Sequence, residues 1–232
     1  MLDALLPLEA DVLVLAESFR PDAGEGMLEG LAAAGYQVDT VPIARFESWH
    51  SSTMGRGWRP GPGIWCLAIA SRFPVLERRE LPMGRVFKDP AGERVALQVD
   101  LDVGGRRVQV VGLHTSSKLY FAGPVTHLRT LRASLPSGPE PAIVAGDFNL
   151  WGPGVVRLLP GWRRAVLGRT WPAHRPHSQI DHVLVNSAVD SIESEVLPRF
   201  GSDHRAVKVK LAVASASDAS APPTRSAEPE RR

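Results

Sequence analysis

The sequence predicts a mixed α/β fold in which two sheets pack face to face and helices lie outside them. Three observations lead there. Apolar, β-branched runs of strand length recur along most of the chain. Helical spacing of apolar residues appears in only a few stretches between them. The chain has 232 residues and is 44% hydrophobic, which is enough for a single domain with a substantial core.

The elements follow in order. Leu2 to Leu8 has helical apolar spacing. Asp11 to Ala16 (DVLVLA) predicts a buried strand that delivers Glu17 at its end. Asp22 to Ala34 predicts an amphipathic helix, with Gly35 as its stop. Tyr36 to Ile43 predicts a strand, and Arg45 to Gly63 a loop rich in Ser, Gly and Pro that carries Trp49 and Trp58. Ile64–Ala70, Val75–Leu81, Glu93–Leu101 and Val108–Leu113 predict strands, with Gly104-Gly105 turning the last two into a hairpin. Thr126 to Leu135 predicts a helix with Leu128, Leu131 and Leu135 on one stripe. Ala142–Ala145, Ile180–Val185, Ser191–Val196 and Ala206–Val213 complete the strands. From Ala214 the chain turns to Ala, Ser, Pro, Glu and Arg and cannot bury enough apolar surface to offset its ordering entropy. The expected organisation is therefore one domain over residues 1–213 and a disordered tail over 214–232.

Composition narrows the setting. A single cysteine, Cys66, excludes an intrachain disulfide and fits a reducing compartment. The apolar amino terminus carries Asp3, Glu9 and Asp11 and lacks a basic n-region, so it does not read as a secretory signal. No apolar run is long enough to span a bilayer, and a cytoplasmic location is expected. The net charge is only +2, but Val103 to Ile180 carries ten Arg and Lys against two acids. If those bases share a face, their field attracts a phosphorylated substrate; the alternative is a solvated surface of a chain rich in arginine.

Three short islands carry the chemistry: Gly146-Asp147-Phe148-Asn149, Ile180-Asp181-His182 and Ser202-Asp203-His204. Each places a carboxylate at or near the end of a strand-like run, and the set adds a carboxamide and histidines. Their order and spacing resemble the endonuclease/exonuclease/phosphatase superfamily of DNase I-like phosphoesterases. Two further positions share the resemblance: Glu17, which closes DVLVLAE where the family carries a metal-binding Glu, and His114, which closes VQVVGLH. Ala16 stands where the family usually has Gln. The resemblance covers roughly Leu5 to Val213. It implies a four-layer α/β/β/α sandwich with the site at one end of the sheet pair.

The resemblance also assigns roles. Glu17 is implied as the ligand of Mg²⁺, with Mn²⁺ as the alternative, and Asp203 as part of the same acidic cluster. A hard divalent ion keeps several waters and needs only one or two carboxylates. His204 is implied as general base, since imidazole titrates near neutrality, with Asp181 fixing its tautomer. Asp147 orients the attacking water or the leaving group. Asn149 offers an amide donor without adding negative charge, and His114 donates to the scissile phosphate as acid or electrostatic stabiliser. His182 points to the opposite sheet face if its strand continues, and His127, His174 and His177 are expected at the surface. Between Asn149 and Asp181 lie Trp151, Trp162 and Trp171, five arginines and no acid, a pattern that suits either a stacked substrate or cation–π packing.

Two departures from the family pattern stand out. The family opens with an Asn-bearing strand ahead of the first helix, whereas this chain begins in that helix. No acid that would orient His114 is identifiable either, and Cys66 lies on the strand where one is expected. The expected function is hydrolysis of phosphodiester bonds, with DNA or RNA as substrate. The alternatives are a small phosphoester or a lipid head group, or a binding module on a degraded scaffold, since fold alone does not choose among them. The sequence does not set the oligomeric state.

Overall fold

The computed structural model describes residues 2–46, 62–87, 89, 91–117 and 122–213. The loop with Trp49 and Trp58, Lys118, and the tail from residue 214 lie outside them.

The amino terminus forms α1 (Leu2–Leu5) and a 3-10 turn (Leu6–Leu8). Strand β1 runs Val12–Pro21, so it does not stop at Ala16 but passes through Glu17 and continues. The sequence reading ended it early because a polar residue broke the apolar run. Helix α2 is Met27–Ala33, five residues shorter at its start than expected. Gly24 (φ +86°) keeps the preceding segment out of the helix, and the Gly26 N–H donates to the Glu29 carboxylate at 2.9 Å to open it. Next come β2 (Gln37–Phe46), β3 (Gly63–Ser71), β4 (Val75–Arg85), β5 (Glu93–Val103) and β6 (Arg106–His114). Gly104 and Gly105, both at positive φ, turn β5 into β6 as their sequence predicts. Helix α3 is Ala122–Leu131, and Leu135 packs just beyond it. Strand β7 (Ala142–Asp147) carries the glycine and aspartate of the first island in its last turn of pleat. Helix α4 (Gly152–Leu158) and the two-residue β8 (Arg163–Arg164) were not legible in the sequence. Glycine and proline at the start of α4 mask a helix of less than two turns. Strands β9 (Asp181–Val185), β10 (Val189–Val196) and β11 (Val207–Val213) close the fold.

One sheet has six strands in the order β4-β5-β6-β7-β9-β8, and only β6 and β7 are parallel neighbours among its pairs. Opposite it lie a three-stranded sheet, β1-β3-β2, and a two-stranded sheet, β10-β11. Apolar clusters bind these layers. Leu67, Ile69, Val99 and Val110 fill the space between the sheets. Leu28 and Leu31 of α2 pack on Leu13, Ala68 and Ala70 on the outside of the three-stranded sheet. Leu128 and Leu131 of α3 and Val155 of α4 pack on Val111, Val144 and Leu184 on the outside of the six-stranded sheet. Each fully buried leucine contributes about 1.5–3 kcal/mol relative to exposure.

His127 corrects an expectation. It is 0% exposed, held by a hydrogen bond between Nδ1 and the Met83 carbonyl at 2.9 Å, with Nε2 3.7 Å from Asp89. Helix α3 turns it inward beside Leu128. His174 and His177 are exposed as expected.

Candidate active site

Strand register builds half of the site. His114 pairs with Asp147 across β6 and β7, and Asp147 pairs with Asp181 across β7 and β9. Residues opposite one another on neighbouring strands share a face, so these three side chains stand in one row at the sheet's end. The next row, Leu113, Gly146 and His182, faces the other way. His182 accordingly lies buried under the helices, with Nε2 3.0 Å from the Leu150 carbonyl and its ring edge-on to Phe148.

Gly146 makes the row possible. It adopts φ +139°, and a Cβ there would lie 2.0 Å from the Leu113 carbonyl oxygen. Only glycine fits that approach. Beyond it, the Asp147 carboxylate accepts the Asn149 backbone N–H at 2.7 Å, and Asn149 turns into the left-handed region at φ +46°. Thr115, 0% exposed, ties the two strand ends by donating its hydroxyl to the Phe148 carbonyl at 2.7 Å.

A bulge and a loop supply the rest. Between Leu15 and Ser18 the pairing of β1 with β3 slips, and Glu17 sits in that bulge at φ +55°. Its carboxylate reaches within 3.8 Å of His114 Nε2, which is also 3.7 Å from Asp147. Asp203 and His204 come from the segment between β10 and β11. Backbone bonds pin that segment: the Ala173 N–H donates to the Asp203 carbonyl at 2.6 Å and the Arg205 N–H to Thr170 at 2.8 Å. The Thr170 hydroxyl in turn accepts the Asp181 N–H at 3.3 Å. His204 Nδ1 then meets the Asp181 carboxylate at 2.9 and 3.1 Å, which leaves Nε2 directed inward, 4.0 Å from Asp147.

The site thus brings together Glu17, His114, Asp147, Asn149, Asp181, Asp203 and His204 around one cleft, which all seven line. Asn149 Nδ2 donates to the Thr115 carbonyl and to Asp147, both at 3.2 Å, so one amide hydrogen holds the end of the neighbouring strand and the other holds Asp147. Of the three tryptophans, Trp171 lines the cleft, Trp162 packs on the helix-side core and Trp151 stands 68% exposed at the start of α4. Two bases of the basic stretch are committed elsewhere. Arg107 pairs with Glu77 and Asp100 at the far end of β6 from His114, and Arg163 pairs with Asp190.

Burial dominates the electrostatics. It pushes the Asp147 carboxyl up to about 8, with Asp181 adding like charge. It also raises Glu17, where Asp203 adds to the effect. For His204 burial opposes the charge, but the hydrogen bond and charge of Asp181 outweigh it and lift the imidazole to about 9. His114 is driven down to about 3 by burial, then by Arg94 and His204, and so is neutral at pH 7. Arg94 is the residue the sequence reading missed. It is nearly buried, clamps Asp89 at 2.8 and 3.1 Å, and donates to the His114 carbonyl at 3.2 Å. An arginine beside the apolar run Val95-Ala96-Leu97 was the available signal.

Crowding among carboxylates is what a cation relieves. Asp147, Asp181 and His204 each place one donor atom within 4.8 Å of the others, and Glu17 and Asp203 share the same field. The donor set, mostly carboxylate oxygen, suits a hard divalent ion.

Comparison with known proteins places this arrangement. The profile of the Endonuclease/Exonuclease/phosphatase family matches residues 1–204. An endonuclease/exonuclease/phosphatase from Beutenbergia cavernae superimposes with a TM-score of 0.71 at 23% identity over 93% of this chain. This chain spans 66% of that protein's length. A mannosyl-6-phosphatase from Bacteroides thetaiotaomicron gives 0.66 at 18% identity, covering 91% of this chain and 88% of its own. The catalytic domain of human Nocturnin gives 0.66 at 17% identity, covering 92% and 84%. At these identities the structures establish a common fold. No curated protein matches the sequence.

Proposed function

The chain belongs to the endonuclease/exonuclease/phosphatase family, and from that membership we propose that it is a divalent-metal-dependent phosphoesterase that cleaves phosphodiester bonds in nucleic acid. The observation that carries the reading is the His204–Asp181 pair, with Nε2 free and turned toward the row of His114 and Asp147.

Each residue has a part. Glu17 and Asp203 would hold the ion, with Asp147 beside them. A bound Mg²⁺ supplies positive charge to the phosphoryl oxygens and the leaving group. Asp181 fixes the proton on His204 Nδ1; in the neutral imidazole, which the charge of a bound cation would favour over the imidazolium of the metal-free site, Nε2 accepts the proton of the attacking water. Asp147, held by both donors of Asn149, orients that water. His114 is neutral, so it serves as a hydrogen-bond donor through Nε2 to a phosphoryl oxygen and not as a charged acid. Trp171 offers a face on which a base stacks.

A second reading, a small phosphoester as substrate, has one observation in its favour. Arg107 and Arg163 are committed to acids away from the cleft, so these two add nothing to a basic track at the site. A substrate panel with added Mg²⁺ and Mn²⁺ separates the two. Metal-dependent cleavage of DNA or RNA, lost with chelator and in His204→Ala, is the expected result. Turnover of sugar phosphates or lipid head groups with no nucleic-acid cleavage selects the second reading. No turnover of any phosphoester overturns both.

A further inference from the structure

The six-stranded sheet forks at the site. Along most of their length β5 and β6 form one ladder, whose last pair toward the site is Leu97 opposite Gly112. Beyond it β5 stays with β4 through Arg94 and Glu93, while β6 stays with β7 through Leu113 and His114. A cavity of about 10 Å³ bounded by Leu67, Val95 and His114 marks the parting. The strand end that carries His114 therefore has no ladder neighbour on its β5 side. The ring supplies no anchor either. Nδ1 is buried without a hydrogen-bond partner among the described residues. Nε2 stands 3.7 Å from Asp147 and 3.8 Å from Glu17, beyond hydrogen-bond length. Arg94 bridges the fork: its Nη1 donates to the His114 carbonyl at 3.2 Å. The N–H of the same peptide unit, on Thr115, donates to the Asp147 carbonyl at 3.0 Å. That peptide is thus gripped from both sides, by a strand on one and by a side chain on the other.

We propose that Arg94 is the positioning residue of His114: fixed by Asp89 and His127, it holds the His114–Thr115 peptide where β5 and β6 part and so aims the imidazole into the cleft. The inference rests on the hydrolytic reading, in which His114 donates to a phosphoryl oxygen. A guanidinium suits the task because its planar fork is directional. Nε and Nη2 take the two oxygens of Asp89 at 2.8 and 3.1 Å, which leaves Nη1 for the carbonyl. Asp89 is held in its turn. Its side chain is 0% exposed, its N–H donates to the Val86 carbonyl, and its own carbonyl accepts from Gly92. His127 of α3 packs 3.7 Å from its carboxylate, with the other ring nitrogen on the Met83 carbonyl. Arg94, Asp89 and His127 do not line the cleft, so they act on the substrate only through His114. A buried ion pair adds little net stability over an apolar replacement. What this one supplies is direction.

A double-mutant cycle tests it. Arg94→Lys keeps the charge and gives up the fork. It is expected to lower kcat about 100-fold with KM held within about threefold. In a His114→Ala background the same change is expected to move kcat by less than about threefold. Leu128→Ala, beside His127 on α3, weakens the same packing and is expected to keep kcat within about threefold. Asp89→Asn keeps shape and one acceptor, and is expected to give the Arg94→Lys pattern at about 10-fold. It carries the test if Arg94→Lys does not fold. A rise in KM at unchanged kcat overturns the proposal, as does an equal loss of kcat in the His114→Ala background or in Leu128→Ala. Amide exchange gives a readout free of turnover. In Arg94→Lys the Thr115 amide is expected to exchange at least about 10-fold faster than in the parent, relative to Gln109, whose N–H is held by Pro141 at the far end of β6. Unchanged Thr115 exchange overturns the proposal even in an inactive protein. Absence of phosphoester turnover in the parent overturns the hydrolytic reading instead, and exchange then decides whether Arg94 holds the peptide.

Discussion

The two halves of the site are held by different means. His114, Asp147 and Asp181 stand on three adjacent strands, and ladder register alone sets them in a row. Glu17, Asp203 and His204 come from a bulge and a loop in the opposite layer, where no ladder repeats and single hydrogen bonds fix the backbone. Position in the first half is inseparable from folding. In the second half, a side chain can be removed with little effect on the fold. Functional groups on loops over a rigid sheet are the general pattern, and here one cleft joins loop-borne and sheet-borne side chains.

The largest expected effect falls on the loop half. His204→Ala removes the proposed base and lowers kcat by about 10³-fold, while the melting temperature in the presence of metal moves by only a few degrees. Steady-state kinetics and calorimetry on the same preparation check both parts. Gly146→Ala inverts that result. Its Cβ meets the Leu113 carbonyl at 2.0 Å, so the sheet-borne row opens and unfolding free energy drops by about 3 kcal/mol or more, read by urea denaturation. If Gly146→Ala is as stable as the parent, the close approach of Gly146 to Leu113 does not hold the row.

Glu17→Gln sharpens the contrast at the bulge. It keeps shape and backbone but removes the charge, and Mn²⁺ affinity measured by calorimetry is expected to fall about 10–100-fold. An unchanged affinity would move the ion to Asp147 and Asp181.

The pH dependence links the halves. In metal-free protein, the folded pKa of His204 lies above its unfolded value, so the stability from its pairing with Asp181 is complete below about 6.5 and lost as pH rises through about 9. Asp147 is also raised, to about 8, so the folded state holds a proton that the unfolded chain releases, and stability again falls with rising pH. Both signs agree. With chelator, the melting temperature should decline from pH 6 to 9, at no more than about 1.4 kcal/mol per pH unit for each group. Added metal should restore more stability at pH 8 than at pH 6, because it binds the deprotonated carboxylates. A melting temperature that is flat or rises over that range would contradict the burial of this cluster.

The sheet-borne half was the more legible in sequence. Alternation and short apolar runs located β3, β5, β6, β7 and β9 within a few residues, and Asp147 and Asp181 lie at ends of the runs that predicted them. The glycine turn at Gly104-Gly105 was read from chemistry that does not depend on tertiary context. What escaped was set by packing. The continuation of β1 past Glu17 depends on its pairing with β3, which no local pattern shows. His127 is polar by composition and buried where α3 packs on β4. Arg94 looks like an exposed strand residue until Asp89 is found beside it. Helix α4 is too short to show a period. The engagement of both Asn149 amide hydrogens lies in a three-residue turn whose conformation the motif alone does not specify.

The bulge at β1 has one more consequence. Among the described residues only Glu9, Glu17 and Asn149 hold a left-handed backbone without being glycine, and two of these three belong to the candidate site. Glutamate is ill suited to φ +55°, and its carboxylate is also crowded by Asp203. Local frustration is thus concentrated where the ion is to sit. Glu17→Gly should therefore yield a metal-free protein that melts higher than the parent, by about 1 kcal/mol, yet has lost its grip on the cation. Selection for thermal robustness alone would erase that glutamate.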